Sequence, residues 1–462
     1  MQHVPATDHE SLLREADQFR RARAWDQALR CAEAALGLAP SPRAHAARAL
    51  ALLALGRAPD ALASIDAALL REPSEPQWHV NRALVLRALE RLEEALIGCD
   101  RALALLPHMG AALNVRGLVL GELGLPQAAL ENFRLALAMA PGDAELHWHL
   151  SLRELQLGNF AAGWAAYEWR WRLPGLGLHP PAHAQPRWTG AEPIAGRTLL
   201  LEHEQGLGDT IQFTRYVPLL AERGAKVILR VPPQLQDLLG TVRGVHRTVS
   251  LSAALPAFDT WAPVASLPLA LRLGADSPAW RGPYVGASQQ GLDRWRRRLG
   301  PRQALRVVLV WSGNPQHRRD ARRSIPVQQL LAALPAGPQY LSVQPQLREG
   351  EALALRRRED VLHLGGEIRD FSDTAALCCL ADLVVTVDTS VAHLAGALGC
   401  RLLVLLPFDA DWRWLMHRAD SPWYPTATLL RQSRPGRWSD VLRQLAEMLG
   451  DPGRPGTSPI VP

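Results

Sequence analysis

The chain has 462 residues, 48% of them apolar, which suits about three domains of ordinary size with packed cores. Its net charge of +6 and pI near 9.4 come from 50 arginines against the single lysine Lys226, a compositional bias of the whole sequence rather than a basic stripe, so nucleic acid is not an expected partner. The five cysteines Cys31, Cys99, Cys378, Cys379 and Cys400 form no C-x-x-C pair, the N-terminal MQHVPATDHE lacks a signal peptide's apolar core, and no apolar run approaches the ~18 residues of a membrane span; together these exclude a disulfide scaffold and a membrane span and point to the cytoplasm.

The first third is repetitive. DQALRCAEAALGLAP ends at Pro40, PDALASIDAALLREP at Pro73, EEALIGCDRALALLP at Pro107 and QAALENFRLALAMAP at Pro141, at intervals of 33, 34 and 34. A small residue recurs in step where each second helix begins: Ala28, Ala61, Ala95, Ala129, then Gly163. Small residues let paired helices approach closely, and proline stops the second helix. The spacing resembles the tetratricopeptide repeat, an α superhelix whose stacked pairs leave a concave face suited to a protein or peptide. The fifth unit, GNFAAGWAAYEWRWRLPG (158–175), is atypical, as a terminal repeat should be, and its Trp169 and Trp171 are expected to pack the array onto the next domain. The array is taken as residues 1–173, and the Pro- and Gly-rich 174–196 as a linker.

From Arg197 short apolar runs alternate with amphipathic stretches, which predicts βα units and parallel sheets. Strands are expected at 198–203, 225–231 and 259–264, with a helix through Ile211, Tyr216, Leu219 and Leu220 ending at Gly224. A second set is expected at 305–311, 339–343, 382–387 and 401–407. The arginine-rich 292–303 reads as the break between an N-terminal domain, 197–300, and a C-terminal one, 301–450. Residues 451–462 read as a disordered tail. Two such halves form a cleft at the carboxyl ends of their strands.

Three post-strand turns carry chemistry. GLGDTIQF places Gly206 and Gly208 before Asp209 and Gln212. A dinucleotide fingerprint would need a third glycine where Ile211 stands, and Asp209 would repel a pyrophosphate. Asp209 is therefore either a helix cap or a general base. In VVTVDTSVAHLAGALG, Asp388 ends a strand and Thr389 and Ser390 open a helix whose free N–H groups and hydroxyls form an anion site. WSGNPQHRRDARRSIP sets Ser312, Gly313 and Asn314 before arginines suited to phosphate.

GLGDTIQF, WSGNPQH…RRSIP, DTSVAHLAGALG and DWRW…SPWYP, in that order after the repeats, resemble bacterial proteins that join tetratricopeptide repeats to a heptosyltransferase-like glycosyltransferase of family 9 type. The layout is also similar to protein O-glycosyltransferases. That resemblance implies a GT-B fold of two Rossmann-like domains, the first holding the acceptor and the second a nucleoside-diphosphate sugar. It makes Asp209 the base and assigns the diphosphate to Asp388, Thr389, Ser390 and His393, with Ser312, Asn314 and Arg323. It implies inverting single displacement onto a hydroxyl, on a protein chosen by the repeats. The alternatives are a repeat adaptor with a degenerate transferase half, or a transferase acting on a lipid-linked glycan. Two positions depart from the pattern: Ala321 stands where a basic residue is usual, and SVQPQ (342–346) replaces S-L-Q-K-G. Asp409-x-Asp411 lacks the rest of a hard-cation site, and His317 and His393 have no third ligand at helical spacing, so no metal or cofactor is expected.

Overall fold

The computed structural model describes residues 8–317 and 319–450; the tail expected at 451–462 lies outside them. The chain divides into two compact units, Met1–Arg153 and Glu154–Pro462.

The first unit is a row of helical hairpins: His9–Arg21 with Trp25–Leu38, Pro42–Ala54 with Ala58–Arg71, Pro76–Ala88 with Leu92–Leu105, and Gly110–Glu122 with Pro126–Met139, then the helix Ala144–Gln156. Ala28, Ala61, Ala95 and Ala129 are all buried, as close helix approach requires. The period recurs in the backbone. The tight turn between paired helices takes a left-handed residue at Arg23, Gly56, Glu90, Gly124 and Gly158. It also recurs in the side chains, because Arg48, Arg82 and Arg116 reach back to Glu33, Asp66 and Asp100 on the preceding hairpin.

In the second unit, the helix Phe160–Tyr167 completes the fifth repeat sequence. Two parallel sheets follow. The first contains β1 (Thr198–Glu202), β2 (Lys226–Val231), β3 (Val245–Ser250) and β4 (Thr260–Pro263), in the order β3-β2-β1-β4. The second contains β5 (Arg306–Val310), β6 (Gln339–Ser342), β7 (Val361–His363), β8 (Leu383–Val387), β9 (Leu402–Leu406) and β10 (Ala427–Arg431), in the order β10-β9-β8-β5-β6-β7. The central strands β1, β5, β8 and β9 are almost entirely buried. This is why they read as unbroken apolar runs. In each sheet the strand order reverses beside a central strand, β1 in the first and the β5–β8 pair in the second, and crevices that receive ligands form at the carboxyl ends of such strands.

The structure corrects three expectations and adds to a fourth. The helix after β1 is broken into Leu207–Phe213, a 3-10 turn and Val217–Glu222, because Pro218 has no N–H to continue it; Gly224, at φ 85°, ends it as expected. The arginine-rich break is largely the helix Gln289–Leu299, tied to the second lobe by Arg294 and Trp295 on Asp373. The linker is partly ordered along β4: Arg187 bridges Trp261, and the Trp188 N–H donates to the Trp261 carbonyl at 2.8 Å. Phe160 and Trp164 are further aromatic anchors of the fifth repeat, while Trp171 packs beside Arg187, as expected of it. Trp164 packs edge-on against Phe213 of the first lobe and Trp412 of the second, and Phe160 packs against Trp423.

Candidate functional site

The three chemically loaded turns lie where the strand order places them. Gly206–Asp209 follows β1. Ser312–Asn314 follows β5, and Asp388–Ser390 follows its neighbour β8.

Gly206 is the N-cap of the helix Leu207–Phe213, and Asp209 is its third residue. The Asp209 Oδ2 accepts from the Gly206 N–H at 2.8 Å, so the carboxylate closes the turn back on itself. Its Oδ1 takes the Arg413 guanidinium from the second lobe. Arg413 also donates to Gln212 Oε1 at 2.7 Å and to Asp411 Oδ1 at 2.8 Å. One buried arginine thus joins the two lobes at Asp209. Asp209 is both a cap, reaching back rather than occupying the N-cap position, and an ion-paired carboxylate. Each of its oxygens keeps a second lone-pair direction for another donor.

Gly208 explains the glycine pair. A Cβ there would lie 2.7 Å from the His393 ring and 3.2 Å from the Ser390 Cα. The helix Leu207–Phe213 therefore meets the start of the helix Ser390–Ala397 in direct contact. Thr389 caps the latter, with its Oγ1 accepting from the Val391 N–H at 3.3 Å.

Arg323 joins the other two turns. Its side chain lies over Gly313, where a Cβ would come 2.4 Å from its guanidinium, and its NH1 donates to the Asp388 carbonyl at 2.9 Å. Ser312 is buried there, and its N–H donates to Gln344 Oε1 at 3.4 Å. Gln344 belongs to the SVQPQ segment. In this region a basic group comes from Arg348, paired with Asp320. Asn314 stands apart: it is exposed, and its Oδ1 accepts from the Gln316 N–H within its own turn.

Electrostatics distinguish two of these residues. Burial, with the Asp411 carboxylate nearby, pushes Asp388 up to about 6, while Arg323 and Arg413 oppose the shift. Burial pushes His393 down to about 3, and its ring stacks on Trp414 and shares a 2.9 Å hydrogen bond with the Tyr424 hydroxyl. His393 is therefore neutral at pH 7 and brings shape and a polar edge to the site, not charge. The carboxylates of the D-x-D sequence are held by arginine, Asp409 by Arg319 and Asp411 by Arg413.

The site also holds buried polar atoms that make no hydrogen bond: Ser312 Oγ, Arg323 Nε, Gln212 Nε2 and Gln205 Nε2. Such atoms are costly to leave unpaired. The sequence motif DWRW contains Arg413 but does not show its reach to Asp209. Arg215 goes unmarked too: its guanidinium donates to the Pro278 and Trp423 carbonyls and lies over the Tyr424 ring, pinning the lobes together. No local pattern marks that arginine.

The repeat segment matches a family model described as tetratricopeptide repeat, over residues 13–68 and 46–109. Protein FlbA of Caulobacter vibrioides is 27% identical over 365 residues, which cover 71% of this chain and 59% of that protein. Among solved structures, a thermophilic TPR protein of Thermus thermophilus is 26% identical, with a TM-score of 0.34, over 36% of this chain and 90% of its own. The PilF protein of Pseudomonas aeruginosa is 20% identical, with a TM-score of 0.32, over 35% of this chain and 74% of its own. The first unit is thus built of tetratricopeptide repeats, and an α/β region of two parallel sheets follows it. Among the described residues no helix is long and apolar enough to cross a membrane.

Proposed function

We propose that the two-sheet unit is a glycosyltransferase of the GT-B type, moving a sugar from a nucleoside diphosphate to a hydroxyl, and that the repeats select a protein acceptor. The observation that carries this reading is the meeting of three strand-end turns, with Asp209 on one lobe and a helix start, an arginine and unpaired polar atoms on the other. A carboxylate facing an anion site is the pair of groups that single displacement requires.

In this reading Asp209 accepts the proton of the acceptor hydroxyl as oxygen attacks the anomeric carbon. The carbon–phosphate oxygen bond breaks on the opposite face, and the diphosphate leaves with its charge met by Arg323 and the first N–H groups of the helix at Ser390. One base with no second carboxylate nucleophile implies inversion. The nucleotide sugar is a substrate, and no metal is required where arginine and helix dipole neutralise the diphosphate. Because Gly208 touches Ser390 and His393, donor entry requires the lobes to part at that contact, as in hinge closure.

A second reading, a repeat adaptor with a degenerate transferase half, is favoured by the tie between Asp209 and Arg413 and by Ala321. Tetratricopeptide repeats support protein partners in either case.

Asp209→Asn separates the readings. Asn keeps the shape and can still accept from Gly206, but it cannot take a proton. With a panel of labelled nucleotide sugars, turnover should fall by roughly 10² to 10⁴ while the fold is retained. A folded variant that keeps turnover within about threefold of the parent contradicts the base assignment.

A further inference from the structure

Two of the five thiols meet where the helix Phe371–Leu380 leads into β8 and the turn at Gly399 and Cys400 leads into β9. Val384 stands opposite Leu402 in the paired strands, and its N–H donates to the Arg401 carbonyl at 2.9 Å. Followed back two residues, that register sets Cys400 level with Asp382, three residues past Cys379. Neighbouring strands lie ~4.8 Å apart, inside the Cα separation that a disulfide spans. The backbone is tied on both sides of this junction. The Ala381 N–H donates to the Cys378 carbonyl at 3.3 Å as the first helix ends, and the Cys400 N–H donates to the Ala395 carbonyl at 3.0 Å after Gly399 turns the chain at φ 72°.

The side chains complete the pairing. The Cys400 thiol donates a hydrogen bond to the Cys379 sulfur. Cys379 is exposed in the last turn of its helix, and Cys400 is half-buried. That bond holds the Cys379 thiol below its ordinary range, against some desolvation, and holds Cys400 well above it, with burial adding to the rise. The remaining thiols differ. Burial raises Cys31, Cys99 and Cys378, Cys99 to about 12, and both Cys99 and Cys378 lie in the core. One thiol of five is thus both exposed and biased toward thiolate, and the thiol beside it keeps its proton. The thiolate is the nucleophile in sulfur chemistry, and a second thiol next to it is placed to resolve what the first one forms.

We propose that Cys379 and Cys400 form a reversible dithiol–disulfide site whose oxidant is a hydroperoxide. The Cys379 sulfur attacks the terminal peroxide oxygen and the O–O bond breaks. The departing oxygen takes a proton and leaves as an alcohol or, from hydrogen peroxide, as water. Cys379 is then a sulfenic acid. The Cys400 sulfur attacks that sulfur, the S–O bond breaks, and the hydroxide leaves as water with the Cys400 proton. The peroxide gains the two electrons that the two thiols lose, and two molecules of a small thiol return them by exchange. The bridge ties the end of the helix Phe371–Leu380 to the turn that closes the helix Ser390–Ala397. It is independent of the transferase reading.

The test uses the full chain, reduced, freed of reductant and treated with a small excess of hydrogen peroxide. Non-reducing peptide mapping by mass spectrometry should find the Cys379 and Cys400 peptides joined within one chain, and dithiothreitol should release them. In Cys400→Ser, dimedone should trap a sulfenic acid at Cys379. In Cys379→Ser the bridge should be absent and thiol loss should slow roughly tenfold or more, while Cys31→Ser should bridge like the parent. Brief alkylation of the folded parent with iodoacetamide should label Cys379 before any other cysteine, a reading that needs no variant. The proposal is overturned if peroxide joins another pair or two chains, if the parent stops at a sulfenic acid on Cys379, if Cys379→Ser still bridges or reacts as fast as the parent, or if Cys31 is alkylated first.

Discussion

Asp388 sits in an environment that its sequence context does not suggest. Its carboxyl is raised from an ordinary 3.8 to about 6, by burial first and then by Asp411. Because the folded value lies above the unfolded one, its contribution to stability is fully present below about 3.8 and is lost as pH climbs through about 6. Ionised, it also repels phosphate at the neighbouring helix start. Nucleoside diphosphate affinity should therefore fall, relative to an Asp388→Asn variant, as pH rises through about 6. Calorimetry of both proteins across that range checks the sign; parallel pH profiles contradict it. Spacing alone marked Asp388 as the end of a strand. Its proximity to Asp411 could not be read locally, because the two belong to different turns of the second lobe.

Among the elements, what was legible depended on burial. The central strands were visible as apolar runs, whereas β3, β7 and β10 were not expected, and all three are sheet edges. An edge strand packs on one neighbour only and carries polar or short sequence, as VHRTVS and VLH do. The Gln289–Leu299 helix was masked by its arginines, which face solvent or Asp373 while Trp295 and Leu299 supply the buried side. The two helix starts at the cleft were legible as glycine and hydroxyl turns, but their contact was not. That contact gives a direct prediction. Gly208→Ala forces a methyl against the His393 ring and Ser390 backbone and should destabilise the second unit by about 1–3 kcal/mol. Gly110→Ala, at a helix position with nothing within 4 Å, should be neutral or slightly stabilising. Equal melting curves for the two variants contradict the close approach.

For the whole molecule, the repeats were plain from their period, because each hairpin repeats the same small residue, left-handed turn and arginine contact. Only resemblance suggests a function for the α/β unit, since parallel sheets host many chemistries. If the repeats select the acceptor, a chain lacking residues 1–140 should lose transfer to protein while retaining slow donor hydrolysis. Equal protein labelling by the shortened chain makes the array a scaffold. The claim beneath all of this is that a nucleoside diphosphate binds where the Asp388–Ser390 turn meets Arg323. The most direct measurement is a calorimetric titration of the parent and Ser390→Asp with uridine, guanosine, adenosine and cytidine diphosphates, beside melting curves. At least one diphosphate should bind the parent and lose roughly tenfold or more in affinity in the variant, because a carboxylate then faces the phosphates at the helix start. Equal affinity in two proteins that melt alike, or no binding by any of the four, contradicts the account.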